Sequence, residues 1–160
     1  MKKVGLMTII LLILCGCTSK MDENQLVYNS YVEEMKELKE KTTSKDVVDV
    51  EIDLEEEKKG EITYRVTIDH PKKDMKNLEA MVYHTEKTED IYPTIGVFDK
   101  KLNLIPNLKQ NEEENVKGIV LGGYIKTKKS LEEFHPTFKV VILYNDQENE
   151  RKKIYYIEKF

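Results

Sequence analysis

The chain has 160 residues, a formal net charge of −4 and 39% hydrophobic residues. That length fits one domain, and the acidic balance argues against a nucleic-acid binder, which is normally basic. Both cysteines, Cys15 and Cys17, fall near the N-terminus, so the remainder must be stabilised by its core rather than by disulfides.

Residues 1–17 begin Met1-Lys2-Lys3, continue through apolar Val4–Leu14 and end on Cys15-Gly16-Cys17. A positive start, a short apolar run and a small-residue step form a secretory signal layout. The run is too short to remain as an anchor, because a spanning helix needs about 20 apolar residues. Leu14-Cys15-Gly16-Cys17 resembles the lipobox of bacterial lipoproteins, Leu-x-Gly/Ala-Cys. The resemblance implies that residues 1–16 are removed as a signal peptide. It also implies that Cys17 receives a diacylglyceryl group and becomes the mature N-terminus on the extracytoplasmic face of the cell membrane. Two acyl chains make such anchoring stable where one gives only marginal binding.

Residues 17–46 read as the lipidated cysteine, a polar tether and a short helix. Asp22 and Gln25 have capping-box spacing. Val27, Tyr31, Met35 and Leu38 recur every three or four residues and form one apolar stripe among charged neighbours. The stripe is too brief for a coiled coil, which needs several heptads, so a spacer helix packing loosely on the domain is expected. Thr42, Thr43 and Ser44 end it.

From Val47 the period changes to two. Val48, Val50, Ile52 and Leu54 alternate with Asp49, Glu51 and Asp53, and Ile62, Tyr64, Val66 and Ile68 alternate with Thr63, Arg65 and Thr67. These are half-buried strands forming a hairpin, with residues 55–60 as its turn and Gly60 free to take positive φ. Further strands are expected at Leu78–His84, Ile95–Phe98, Leu102–Ile105, Lys117–Lys126, Phe138–Tyr144 and Lys153–Glu158. Gly122-Gly123 points to a bulge, and Pro71, Pro93, Pro106 and Pro136 fall between strands.

Many short strands without an intervening helical pattern define an all-β chain, a two-sheet antiparallel β-sandwich over residues 47–160. It resembles an immunoglobulin-like domain in architecture. Trp and an inter-sheet cysteine pair are absent from the sequence, so no antibody-type binding chemistry is implied. Lipobox, spacer and small β domain together are similar to small surface lipoproteins of Gram-positive bacteria.

The histidines are His70, His84 and His135, without the close spacing of a metal motif. Simple reversal at every connection would make His70 and His135 neighbours at one end, still short of the three or four ligands a zinc site wants. No Ser lies in a Gly-x-Ser-x-Gly elbow, and Ser130 in Lys-Lys-Ser-Leu-Glu-Glu reads as the cap of a short turn. Asp49, Glu51 and Asp53 read as the solvated face of a strand, and Glu112-Glu113-Glu114 lacks the ligand spacing of a calcium loop. The reading is therefore non-catalytic, with no cofactor and no metal.

The same alternating topology gathers loops 55–60, 85–94, 106–116 and 145–151 at one acidic end. The remaining loops and the tether then lie at a more basic end facing the membrane. Partner-binding candidates at the acidic end are Asp90, Tyr92, Pro93, Glu112, Glu113 and Glu114, with Tyr92 as the rigid amphipathic contact, though the same stretch could plug the sandwich end. The function expected is a membrane-anchored binding or accessory module with an envelope or surface protein as partner. Alternatives are a structural or protective envelope lipoprotein or, less favoured, a metal-dependent or hydrolytic enzyme.

Overall fold

A computed structural model describes residues 23–39, 46–87, 96–97 and 101–160. The signal segment, Cys17, Asp22, residues 42–44 and the stretch carrying Asp90, Tyr92 and Pro93 lie outside the described residues. One helix, α1 (Glu23–Glu37), precedes strands β1 (Asp49–Lys58), β2 (Glu61–Asp69), β3 (Lys76–His84), β4 (Gly96–Val97), β5 (Asn103–Leu104), β6 (Asn115–Val116), β7 (Gly118–Lys126), β8 (Thr137–Asn145) and β9 (Arg151–Lys159). A 3-10 turn covers Leu131–Glu133 and opens at Ser130, whose N–H donates to the Glu133 carboxylate at 3.1 Å.

The strands form a three-stranded sheet, β1-β2-β7, facing a four-stranded sheet, β4-β3-β8-β9. Every pairing in these two sheets is antiparallel. Of the six long strands, the first, second and fourth thus share one sheet, while the third, fifth and sixth join a short edge strand in the other. This is the strand distribution of an immunoglobulin-like sandwich. Between the sheets lie Ile62, Tyr64, Val66 and Ile68 from β2, Leu78, Ala80 and Val82 from β3, and Phe138, Val140 and Ile142 from β8. His84 belongs to this core: it is 2% exposed, with its ring 5.9 Å from both Tyr64 and Phe138.

The hairpin forms as its alternation requires, but the turn is Lys59-Gly60 rather than the whole of residues 55–60. Residues Glu55 to Lys58 stay in β1 because their charged side chains sit on an edge strand, and a register shift between Glu56 and Lys58 absorbs the mismatch. Gly60 has φ +86°, a conformation that glycine adopts without a Cβ clash.

The bulge expected at Gly122-Gly123 is absent: β2 and β7 pair without interruption from Glu61↔Lys126 to Asp69↔Gly118. The glycine has another purpose. Tyr64 lies directly opposite Gly123, and a Cβ at residue 123 would come within 2.6 Å of the Tyr64 hydroxyl oxygen and 2.7 Å of its ring. The missing side chain is the space the buried tyrosine fills.

α1 is not a loose spacer. Met35 is fully buried against Met81, Val141 and Leu143 on the outer face of the four-stranded sheet, with Tyr28, Tyr31, Val32 and Leu38 packed around it. Lys139 Nζ donates to the carbonyls of Met35 and Lys36 at 2.7 and 3.1 Å, satisfying groups that the end of a helix leaves without partners. Glu34 accepts bonds from Lys153 Nζ, at 2.9 Å, and from the Tyr155 hydroxyl. Tyr31 donates to Glu79 at 2.8 Å, and Arg151 pairs with the same carboxylate at 2.6 Å. The helix stripe alone predicts only a packing face; the tight docking comes from the apolar outer face that Met81, Val141 and Leu143 give the sheet.

One connection also departs from simple reversal. Leu102–Ile105 is not an antiparallel strand turning back along β4; β5 pairs in parallel with β6, while Leu104 bridges Met75 beside the start of β3. Asn103 holds this crossing, accepting from the Asn77 N–H and donating to the Asn115 side chain, each at 3.0 Å.

Candidate functional site

The sandwich has a turn end, marked by Lys59-Gly60, and an entry end, where the chain reaches β1 past Val47 and Val48. Antiparallel pairing puts Asp69, Gly118, Lys76, Asn145 and Arg151 at the entry end, and Lys126, His84, Phe138 and Lys159 at the turn end. Among the described residues, the non-glycine positive-φ positions are His70, Asn77, Asn107 and Asn149, and all belong to entry-end segments. Asparagine enters this region more readily than most residues, and departures from favoured backbone concentrate at functional sites.

The register Asp49↔Asp69 sets two carboxylates side by side at the open end of the hairpin. The chain then turns through His70, whose Nδ1 lies 2.8 Å from Asp69 Oδ1 and 3.7 Å from Asp49 Oδ2. Lys72 Nζ is 3.2 Å from Asp49 Oδ2, and the Lys72 N–H donates to the Val47 carbonyl, tying this loop to the incoming chain. Gly118 permits the close approach of β7, since a Cβ there would meet Asp69 Cβ at 2.6 Å.

Two carboxylates and an imidazole, with one ligand atom each within 4.8 Å of the others, are a donor set that a divalent cation can use. Here the Lys72 ammonium already pairs with Asp49, so a cation must displace it. The His70 side chain is 74% exposed, which leaves the group open to water and to a polar ligand.

Two open cavities flank this cluster. One of about 340 Å³ is lined by Asp69, His70, Pro71, Ile105, Asn107 and Lys117. The other, about 370 Å³, opens between Val47, Lys73, Met75, Tyr144, Lys152 and Ile154. Burial, reinforced by Asp146, raises the Tyr144 phenol above its usual range. Backbone N–H donors from Glu150 and Glu148, together with Lys152, hold the Asp146 carboxyl below its usual value. Both volumes fall at the small end of ligand pockets.

The acidic end expected from simple reversal does not form. Because β5 continues past β3 instead of reversing, every strand after it runs opposite to the simple count. Glu112, Glu113 and Glu114 lie exposed on the connection into β6, at the entry end. Asp90, Tyr92 and Pro93 fall between β3, which ends at His84, and β4, whose Gly96 pairs with Met81, and they lie outside the described residues. His70 and His135 are separated by the length of the sandwich. Glu51 and Asp53 lie on the exposed face as expected, whereas Asp49 is drawn into the cluster. Sequence reasoning missed Asp49, Asp69, His70 and Lys72 as a group, although the hairpin register alone would have paired the two aspartates.

The fold and site define an antiparallel immunoglobulin-like sandwich with a docked N-terminal helix and a charged, cavity-bearing entry end. No protein-family model, curated protein or solved structure matches the chain, so its function must be argued from this geometry.

Proposed function

We propose that the chain is a lipid-anchored, extracytoplasmic lipoprotein whose sandwich acts as a non-catalytic binding module. The course of α1 carries this reading. Its Tyr31 contacts Glu79 and Arg151 toward the entry end, whereas its last turn is held by Lys139 toward the turn end. The helix therefore begins at the entry end. Residues 18–22, which separate it from Cys17, span at most about 18 Å when extended.

A lipid on Cys17 would then hold the entry end near the membrane surface. Asp49, Asp69, His70 and Lys72, with the adjoining cavities, would meet a polar ligand or envelope partner at that level.

The test combines fatty-acid labelling with in-cell cross-linking. An alkyne fatty acid is expected to label the wild-type chain and not Cys17→Ser, and a cross-linked partner should diminish with His70→Ala. An unlabelled wild-type chain would overturn the anchor, and cross-linking indifferent to His70→Ala would overturn the placement of the site.

A further inference from the structure

The sandwich has four sheet edges, and three of them are guarded. β1 presents Asp49, Glu51, Asp53 and Glu55 along one face and is distorted between Glu56 and Lys58. β9 begins with Arg151, Lys152 and Lys153 and ends with Glu158 and Lys159, while β4 is two residues long. Charges, irregularities and shortness are the devices that keep edges from pairing with other chains.

β7 has none of these. Its nine residues, Gly-Ile-Val-Leu-Gly-Gly-Tyr-Ile-Lys, contain one charge at the last position and no proline, and they pair with β2 without a register shift. Among the described residues no strand pairs with its other side. Val120 is 61% exposed and Tyr124 49% exposed on the outer face. The Thr127 N–H donates inward to Gly60, so ladder alternation turns the N–H and C=O groups of Val120, Gly122 and Tyr124 toward the open side.

We propose that β7 is a self-association edge, pairing antiparallel with β7 of a second copy about a two-fold axis at Gly122. In that register Val120 faces Tyr124 of the second copy on each side of the axis, an aromatic and β-branched cross-strand pair. Lys126 faces the second copy's Gly118, which has no side chain to block it. Asp69 of the second copy lies on the next strand, about 10 Å away between strand axes and within the combined reach of the two side chains. The charges are complementary, and no like charges stand opposite each other.

β1 is a poorer occupant for this edge, because joining β7 to another copy's β1 leaves a free β7 and a free β1 and propagates without closing. The β7–β7 pairing closes as a dimer and joins two three-stranded sheets into one through about six backbone hydrogen bonds from the central residues.

The test is the mass of the full chain in mild detergent, measured by light scattering across a concentration series. The wild type is expected to be dimeric at about 100 µM, a range in which transient interfaces are occupied. Gly122→Glu, which opposes two carboxylates at the axis, should be monomeric. Gly122→Thr should remain dimeric, because a Cβ there meets nothing closer than the Tyr64 carbonyl at 3.5 Å. Should Gly122→Glu fail to fold, Val120→Lys changes an exposed side chain and should weaken the dimer at least tenfold. A monomeric wild type, including one that captures a strand from another protein, would overturn the proposal. So would a dimer that survives Gly122→Glu and Val120→Lys.

Discussion

The two sheets are built by different rules. In β1-β2-β7 one face meets the core and the other meets water, so β2 alternates strictly between buried and less buried residues. In the four-stranded sheet, β8 is buried from Phe138 through Tyr144 without a break, because Phe138, Val140 and Ile142 face the other sheet while Val141 and Leu143 face α1. A strand covered on one face reads as alternation, and one covered on both reads as a continuous apolar run. α1 thus completes the domain by covering a sheet face that would otherwise expose Met81, Val141 and Leu143.

Truncation on the two faces of the same sheet should separate these roles. Phe138→Ala opens the inter-sheet core beside Tyr64, whose ring lies 5.2 Å away, and should destabilise the whole domain by about 3–5 kcal/mol in denaturant unfolding. Met35→Ala removes the central apolar contact of α1 and should reduce docking by about 2–4 kcal/mol. Its effect should be local: amides of residues 25–37 lose exchange protection while β2 and β8 retain theirs. Simultaneous loss of protection throughout would show that helix and sandwich unfold as one unit and would erase the distinction.

A smaller change sharpens the account of the inner face. Gly123→Ala should cost about 1–3 kcal/mol, because the new methyl meets the buried Tyr64 ring and that ring is hemmed in by His84 and Phe138. Combining it with Tyr64→Leu should give a loss smaller than the sum of the two single losses, since the shorter side chain vacates the contested space. Strict additivity in a double-mutant cycle would sink the claim that Gly123 is there for Tyr64.

The same contrast explains what was legible in the sequence. Alternation in Val48–Leu54 and Ile62–Ile68 exposes the hairpin, and every long strand lies close to its expected position. The run Val140-Val141-Ile142-Leu143 carried a further message, burial on both faces, that pointed to a docked helix. The end-to-end arrangement was not legible, because Leu102–Ile105 has the pattern of a strand whether or not the chain reverses there. Its direction is fixed by distant partners: Asn103 with Asn77 and Asn115, and Leu104 with Met75. The Asp49–Asp69–His70 group hid for a related reason, since residues twenty positions apart become neighbours only through strand register.

The smallest expected effect concerns the polar seam of α1 and should leave the inter-sheet core untouched. Burial alone would raise the Glu34 carboxyl, but hydrogen bonds from Tyr155 and Lys153 outweigh it and hold the group below its usual value. A carboxyl depressed in the folded state stabilises docking fully above its unfolded pKa, near 4.3, and loses that contribution as pH falls through the folded value. Tyr155 behaves oppositely. Burial, then Glu34, pushes its phenol up to about 12, so its contribution is complete below about 10 and disappears as pH rises through 12. Burial and the bond to Glu79 raise Tyr31 as well, steepening the same alkaline limb. Docking, followed by the Met35 methyl resonance, should therefore show a plateau from about pH 5 to 10 and weaken on both sides. Glu34→Gln should flatten the acid limb while the Tyr31–Glu79 contact preserves part of the alkaline one. An unchanged acid limb in that variant would mean that Met35 and its apolar neighbours hold the helix without help from the seam.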